Sequence, residues 1–172
     1  MRTTMAEPDE AQPDAANRLE PRSGAARANA DRVVAFMLGG QRYGLPIDCV
    51  NEIQQIVAFT DVPEDGSAVI GMVNLRGNVI PAVDMRRLVG LEEAERTLET
   101  PMIIVRTDGQ VVSLIVDEVQ DVVDLPDGCL QAPPPLHALA PKMIGVCPMP
   151  DGLINLLDID ALLAVDTLRG GR

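Results

Sequence analysis

The chain repeats itself, and that repetition limits its possible folds more than any single motif does. Residues 33–53 align without a gap on residues 102–122 at a shift of 69: Gly40-Gln41 falls on Gly109-Gln110, Leu45 on Leu114, Asp48 on Asp117, Val50 on Val119, Glu52 on Asp121 and Ile53 on Val122. A second match runs at a shift of 74, placing Ile70-Gly71 on Ile144-Gly145, Ile80 on Ile154, Asp84 on Asp158 and Leu88 on Leu162. The difference of five residues (74 − 69) falls in the second connector, where Pro126, Pro133, Pro134, Pro135 and Pro141 mark a long irregular loop.

Each copy reads as β structure. Val33–Leu38 and Arg42–Ile47 flank the glycine turn Gly39-Gly40, and Met102–Thr107 and Val111–Val116 flank Asp108-Gly109, a stronger hairpin signal. Ala68–Val73 and Val79–Val83 are apolar runs rich in β-branched residues, joined by the polar turn Asn74-Leu75-Arg76-Gly77. Asp84 and Asp158 precede apolar residues at helical spacing and read as N-caps of short helices. Two such β-rich units, each too small to bury a large core alone, are expected to pack as a pair of small barrels, each closing its own edges.

Composition excludes several functions. A net charge of −12 disfavours sequence-independent binding to nucleic acid or an anionic membrane surface, and no apolar run approaches the length of a membrane span. The polar N-terminus lacks the apolar core of a signal peptide, so the protein is expected to be cytosolic, without membrane insertion. Residues 1–32 mix Ala, Pro, Arg and acidic residues without apolar periodicity and are expected to form a disordered leader; 166–172 form a C-terminal tail.

Catalysis finds no support. Paired carboxylates on two related lobes could share a proton, which makes Asp84 and Asp158 the alternative worth weighing as an aspartate-dyad hydrolase. Neither has the small residue and glycine that would hold it in an exposed loop, and the capping reading accounts for both. The single histidine, His137, has no serine or cysteine motif beside it, and Gly-rich phosphate-binding patterns are missing. Cys49, Cys129 and Cys147 are odd in number and widely spaced, so they are expected to be buried reduced thiols; a zinc site made of these three with His137 lacks paired spacing. No metal or cofactor is expected.

An arginine inside a tight turn is unusual, since turn chemistry asks for Gly, Asn, Asp or Pro, so Arg76 is either a solvated tip or holds something. Phe36-x-Leu38, Tyr43–Ile47, Val50-x-Glu52-Ile53, Val62-Pro63, Ile70-Gly71-x-Val73-Asn74-Leu75-Arg76-Gly77, Ile80-Pro81-x-Val83-Asp84 and Val116-Asp117-x-Val119-x-x-Val122 together resemble the CheW-like domain of bacterial chemotaxis, over about residues 33–165. The resemblance implies a mainly β fold of two SH3-like five-stranded barrels with short helices. It also implies that the first strand crosses over, giving a first lobe of about 46–99 and a second of about 33–45 plus 100–165.

By function, the resemblance implies a non-catalytic adaptor joining the cytoplasmic tip of a chemoreceptor, a helical hairpin, to the regulatory domain of the histidine kinase CheA. It further implies contacts with other CheW-like domains in rings of a membrane-bound receptor array. Carried over by position, the receptor-binding residues would be Val50, Glu52, Ile53, Gly71 and Arg76, with Glu52 able to orient the Arg76 guanidinium. In the second repeat Met149-Pro150-Asp151-Gly152 stands where a second arginine turn could have been, which argues against an equal role for that lobe.

Overall fold

The computed structural model describes residues 31–61, 67–107 and 109–164; the expected leader (except Asp31 and Arg32), Val62-Pro63, Asp108 and the C-terminal tail lie outside them. Eleven strands are described: β1 (Arg32–Leu38), β2 (Gln41–Pro46), β3 (Val50–Gln55), β4 (Phe59–Asp61), β5 (Val69–Leu75), β6 (Asn78–Asp84), β7 (Pro101–Thr107), β8 (Gln110–Ile115), β9 (Glu118–Asp124), β10 (Met143–Met149) and β11 (Gly152–Leu157). Two single-turn helices, α1 (Met85–Leu88) and α2 (Ile159–Leu162), follow β6 and β11. The bounds obey the internal repeat: β1 and β2 map onto β7 and β8 at a shift of 69, and β5 and α1 onto β10 and α2 at 74.

The strands form two SH3-like barrels, with ladders in the order β10-β11-β2-β1-β9 and β3-β7-β8-β6-β5-β4. Replacing each strand by its repeat counterpart turns the first order into β5-β6-β8-β7-β3, which is the second order read backwards without β4. The hairpins are therefore exchanged in both directions: β1-β2 pairs with β9 and β11, while β7-β8 pairs with β3 and β6. This corrects the expected lobe boundaries. Residues 101–115, expected in the second lobe, hydrogen-bond into the first, because β3 and β6 supply the edges on either side of that hairpin. The barrel holding β3 also has a sixth, three-residue strand, β4, paired to the outer edge of β5. Among the described residues neither ladder runs round to pair its outermost strands, so the expected self-closure by hydrogen bonds is absent.

Burial explains the exchange. Val34, Phe36 and Leu38 of β1 and Ile103 and Val105 of β7 point into one central core between the barrels, which also takes Met85, Leu88, Ile159 and Leu162 from the two short helices. The alternate residues of the same strands enter the barrel interiors: Met102 and Ile104 lie with Ile70, Val73 and Ile80, whereas Val33 lies with Cys147, Ile154 and Leu156. Both faces of β1 and β7 are covered, which is why these strands read as continuous apolar runs rather than alternating ones.

The aspartates cap their own helices, as expected. Asp84 accepts hydrogen bonds from the backbone N–H groups of Arg86 (2.8 Å) and Arg87 (3.4 Å), and Asp158 from those of Asp160 (3.1 Å) and Ala161 (3.2 Å). Asp84 has a further partner, the Arg96 guanidinium at 2.6 Å, and is itself buried. The Asp124 carboxyl, on the strand beside β1, is held below its ordinary range by its hydrogen bond to Arg32.

The β5–β6 connection is a two-residue turn, Arg76-Gly77, with positive φ at both positions (50° and 89°), the type I′ pattern that suits the right-handed twist of a hairpin. Asn74 Oδ1 accepts from Gly77 N at 2.9 Å. Arg76 is the one non-glycine residue with positive φ among those described, a conformation costing an L-residue roughly 1–2 kcal/mol.

Two stability predictions follow from this geometry. Asp158→Asn is expected to be near neutral, since Asn caps well, and Asp158→Ala to cost on the order of 1 kcal/mol. Asp84→Asn is expected to cost roughly 1–3 kcal/mol, because the partly buried Arg96 loses its charged partner; equal denaturation midpoints for the two Asn variants would contradict this. Arg76→Gly is expected to be more stable than Arg76→Ala by about 1 kcal/mol, since both lose the side chain and only glycine relaxes the left-handed backbone. Urea titration of the pair measures that difference directly.

Candidate functional site

Strand β3 leaves the short 3-10 turn Ile47–Cys49 and forms one end of its ladder, pairing only with β7. Its residues alternate between half-buried Val50, Glu52 and Gln54 and exposed Asn51, Ile53 and Gln55. Val50 packs against the central core, so packing accounts for it. Ile53 stands on the opposite, exposed face.

Glu52 meets Arg76. The Arg76 Nη2 to Glu52 Oε2 distance is 2.8 Å, although β3 and β5 lie at nearly opposite ends of the ladder; the sheet is curled enough to bring them together. Gln54 Nε2 also donates to Glu52 Oε2, at 2.9 Å, so the carboxylate is oriented from its own strand. The Glu52 side chain is 22% exposed and that of Arg76 is 74% exposed. An ion pair this open contributes at most about 1 kcal/mol to folding. What it does is fix the direction of a guanidinium that still has donors facing outward.

Gly71 lies buried on β5, opposite Asp61 of β4 and Ala82 of β6. Its repeat counterpart, Gly145, has no room for a side chain: a Cβ there would sit 2.7 Å from the Gln131 carbonyl oxygen. Close backbone approach is the physical role of that glycine. Of the five residues expected on the receptor-facing side, Glu52 and Arg76 are in contact, Ile53 is exposed nearby in sequence on the other face of β3, Val50 packs against the central core, and Gly71 is buried within β5.

Beside Ile53 lies an open groove of about 410 Å³ lined by Ile53, Gln54, Gln55, Glu99, Pro101, Asp117, Glu118 and Val119. It runs between β3 of one lobe and the start of β9 of the other. Asp117 also accepts hydrogen bonds from Gly39 N (2.8 Å) and from the Arg86 guanidinium, tying the β1–β2 turn and α1 to the β8–β9 junction. Sequence reasoning matched Asp117 to Asp48 and gave it no role, since its partners come from distant segments.

The exposed apolar residues follow the repeat. Ile53 and Val122 are counterparts, as are Val79 and Leu153, and all four are exposed. The polar pair does not follow it: Asp121 stands in the place of Glu52 and Pro150 in that of Arg76, and the second turn instead uses Asp151 to bind Arg42 at 2.7 Å.

Two cysteine expectations change. Cys129 and Cys147 are joined in a disulfide, which overturns the expectation of three reduced thiols and removes two of the four groups considered for zinc. Their segments converge because the proline-rich connector folds back along β10. Cys49 remains free; its thiol donates to the Pro46 carbonyl at 2.9 Å, and burial pushes its pKa up to about 12. His137 Nδ1 accepts from the Leu139 backbone N–H at 3.2 Å. No cluster of three metal-ligating side chains occurs among the described residues. The described residues also include no helix long and apolar enough to cross a membrane.

Comparison with known proteins agrees with this architecture. Residues 32–166 match the CheW-like domain. The chain is 30% identical over 132 residues to the chemotaxis protein CheW of Rhizobium meliloti (strain 1021), covering 76% of this chain and 85% of that one. It is 29% identical over 135 residues to the chemotaxis protein CheW of Bacillus subtilis (strain 168), covering 77% and 86%. The crystal structure of the scaffolding protein TtCheW from Thermoanaerobacter tengcongensis superposes with a TM-score of 0.72 at 30% identity, over 80% of this chain and 94% of that one. Asp84 and Asp158, each engaged at its own helix, are structural carboxylates. With residues 32–166 matched and the paired barrels superposing on a CheW structure, the chain belongs to the CheW-like domain family of non-catalytic chemotaxis scaffolds.

Proposed function

We propose that this chain couples chemoreceptors to the chemotaxis histidine kinase, working in the cytoplasm and recruited to membrane-bound receptor arrays. The receptor's helical tip would meet the Glu52–Arg76 side of the first lobe. The CheA regulatory domain, and other CheW-like domains in rings, would meet the remaining faces.

The observation that carries the reading is Arg76 itself. It occupies a left-handed turn position where glycine or asparagine is less strained, its carboxylate partner adds little to stability, and its side chain is largely exposed. A residue kept in a costly conformation without a packing role is suited to binding, and a planar five-donor cation suits carboxylates or helix-end carbonyls of a docked helical hairpin. The exposed apolar Ile53 and Val122, repeated on both lobes, favour a molecule with more than one docking face.

Calorimetric titration of a receptor-tip fragment and of the kinase regulatory domain tests the assignment. Arg76→Ala is expected to fold normally and to bind receptor more weakly by roughly 1–3 kcal/mol, with a smaller effect on kinase. Glu52→Gln, which keeps the cation and removes its orienting charge, is expected to fall between parent and Arg76→Ala. Unchanged receptor affinity in Arg76→Ala would return Arg76 to the status of a solvated turn tip.

A further inference from the structure

The two barrels differ in how they cover one strand edge. In the first, the outer edge of β5 is covered by β4, with three successive residue pairs. In the second, among the described residues, the corresponding edge of β10 has a single bridge, in which Gln131 N donates to Val146 O (2.8 Å) and Val146 N to Gln131 O (2.9 Å). The connector adds little more ladder there, because Pro133, Pro134 and Pro135 follow after Ala132 and lack the N–H groups that pairing needs.

The Cys129–Cys147 disulfide brackets this lone bridge: Cys147 is next to Val146, and Cys129 is two residues before Gln131. Gly145 supplies the room, since a Cβ there would meet the Gln131 carbonyl oxygen. Cys147 is wholly buried in the interior of the second barrel, while Cys129 is half-buried at its surface.

We propose that the Cys129–Cys147 disulfide is a redox latch that holds the connector over the outer edge of β10, and that its reduction uncovers that edge. The electron donor is a dithiol of the thioredoxin class. One of its thiolates attacks Sγ of the more accessible Cys129, the S–S bond breaks, and Cys147 Sγ leaves with the electron pair and takes up a proton. The donor's second thiolate then attacks the donor sulfur of the mixed disulfide, releasing Cys129 as a thiol after protonation and leaving the donor oxidised. Two electrons pass to the pair, and the connector is left with one bridge and the packing of Leu130 against the barrel. The first lobe, including Glu52 and Arg76, has no cysteine in the exchange.

Amide hydrogen exchange on the full chain, read by mass spectrometry in the oxidised form and after thioredoxin-type reduction, tests the latch. Gln131 and Val146 are expected to exchange faster on reduction, by on the order of 100-fold for the release of a loop of this length, with Ile104 and Ser113 of the first lobe unchanged. Cys129→Ser, which keeps Cys147 in place, is expected to match the reduced parent whether or not reductant is present. Non-reducing peptide mapping supplies the second arm: a Cys129–Cys147 peptide that appears in oxidised glutathione and disappears with the dithiol supports the latch. Alkylation of both thiols under oxidising conditions would overturn it, as would a bond whose reduction leaves Gln131 and Val146 equally protected.

Discussion

Two strands that must be buried on both faces set the terms for everything else in this molecule. β1 and β7 carry Val33–Leu38 and Met102–Val105, apolar at successive positions, so neither strand has a side that can face water. A lone barrel of this size buries one face of each strand and leaves the other outside. Placing each hairpin at the border, with one face inside a barrel and the other in the central core, covers both. The reciprocal exchange follows: each hairpin joins the ladder of the opposite repeat, and neither lobe has a complete sheet of its own.

Backbone symmetry and side-chain asymmetry then serve different ends. The repeat is kept where burial dictates it, in strand bounds, capping aspartates and the glycines at positions 71 and 145. It is abandoned in the polar turns. Arg76 pairs with Glu52 across the mouth of one barrel, whereas Asp151 pairs with Arg42 in the other. The lobes thus present the same apolar outline with different charges on an unchanged frame.

Most of the frame was legible in the sequence, because hydrophobic periodicity and turn glycines are local signals. The gapless match of 33–53 to 102–122 located the hairpins, and Asp84 and Asp158 were readable as caps from the apolar residues that follow. Strand partners were not legible. β3 follows β2 in the chain after a single 3-10 turn yet pairs with β7, and nothing in the local pattern of either strand distinguishes that arrangement from a self-contained barrel. The Glu52–Arg76 contact could be read as an opportunity, but not the left-handed φ of Arg76, which a hairpin of this length imposes and the residue type conceals. The disulfide escaped because an odd cysteine count at wide spacing carries no pairing signal, and convergence of 129 with 147 depends on how a proline-rich connector folds.

The polar contacts at the lobe boundary explain how an open surface keeps its shape. The groove beside Ile53 takes one wall from β3 and the other from residues 117–119, so it belongs to neither lobe alone. Asp117, at its rim, accepts from the β1–β2 turn through Gly39 N and from α1 through Arg86, and Arg86 Nε in turn donates to the Glu92 carbonyl at 2.6 Å. Gly39 also lies against Leu91, so closely that a Cβ would meet its side chain at 2.7 Å. Segments from both lobes are thereby fixed to one carboxylate. Displacing one lobe against the other would break charge-assisted hydrogen bonds and open the central core together, and a surface built across such a boundary is held in place before any partner arrives.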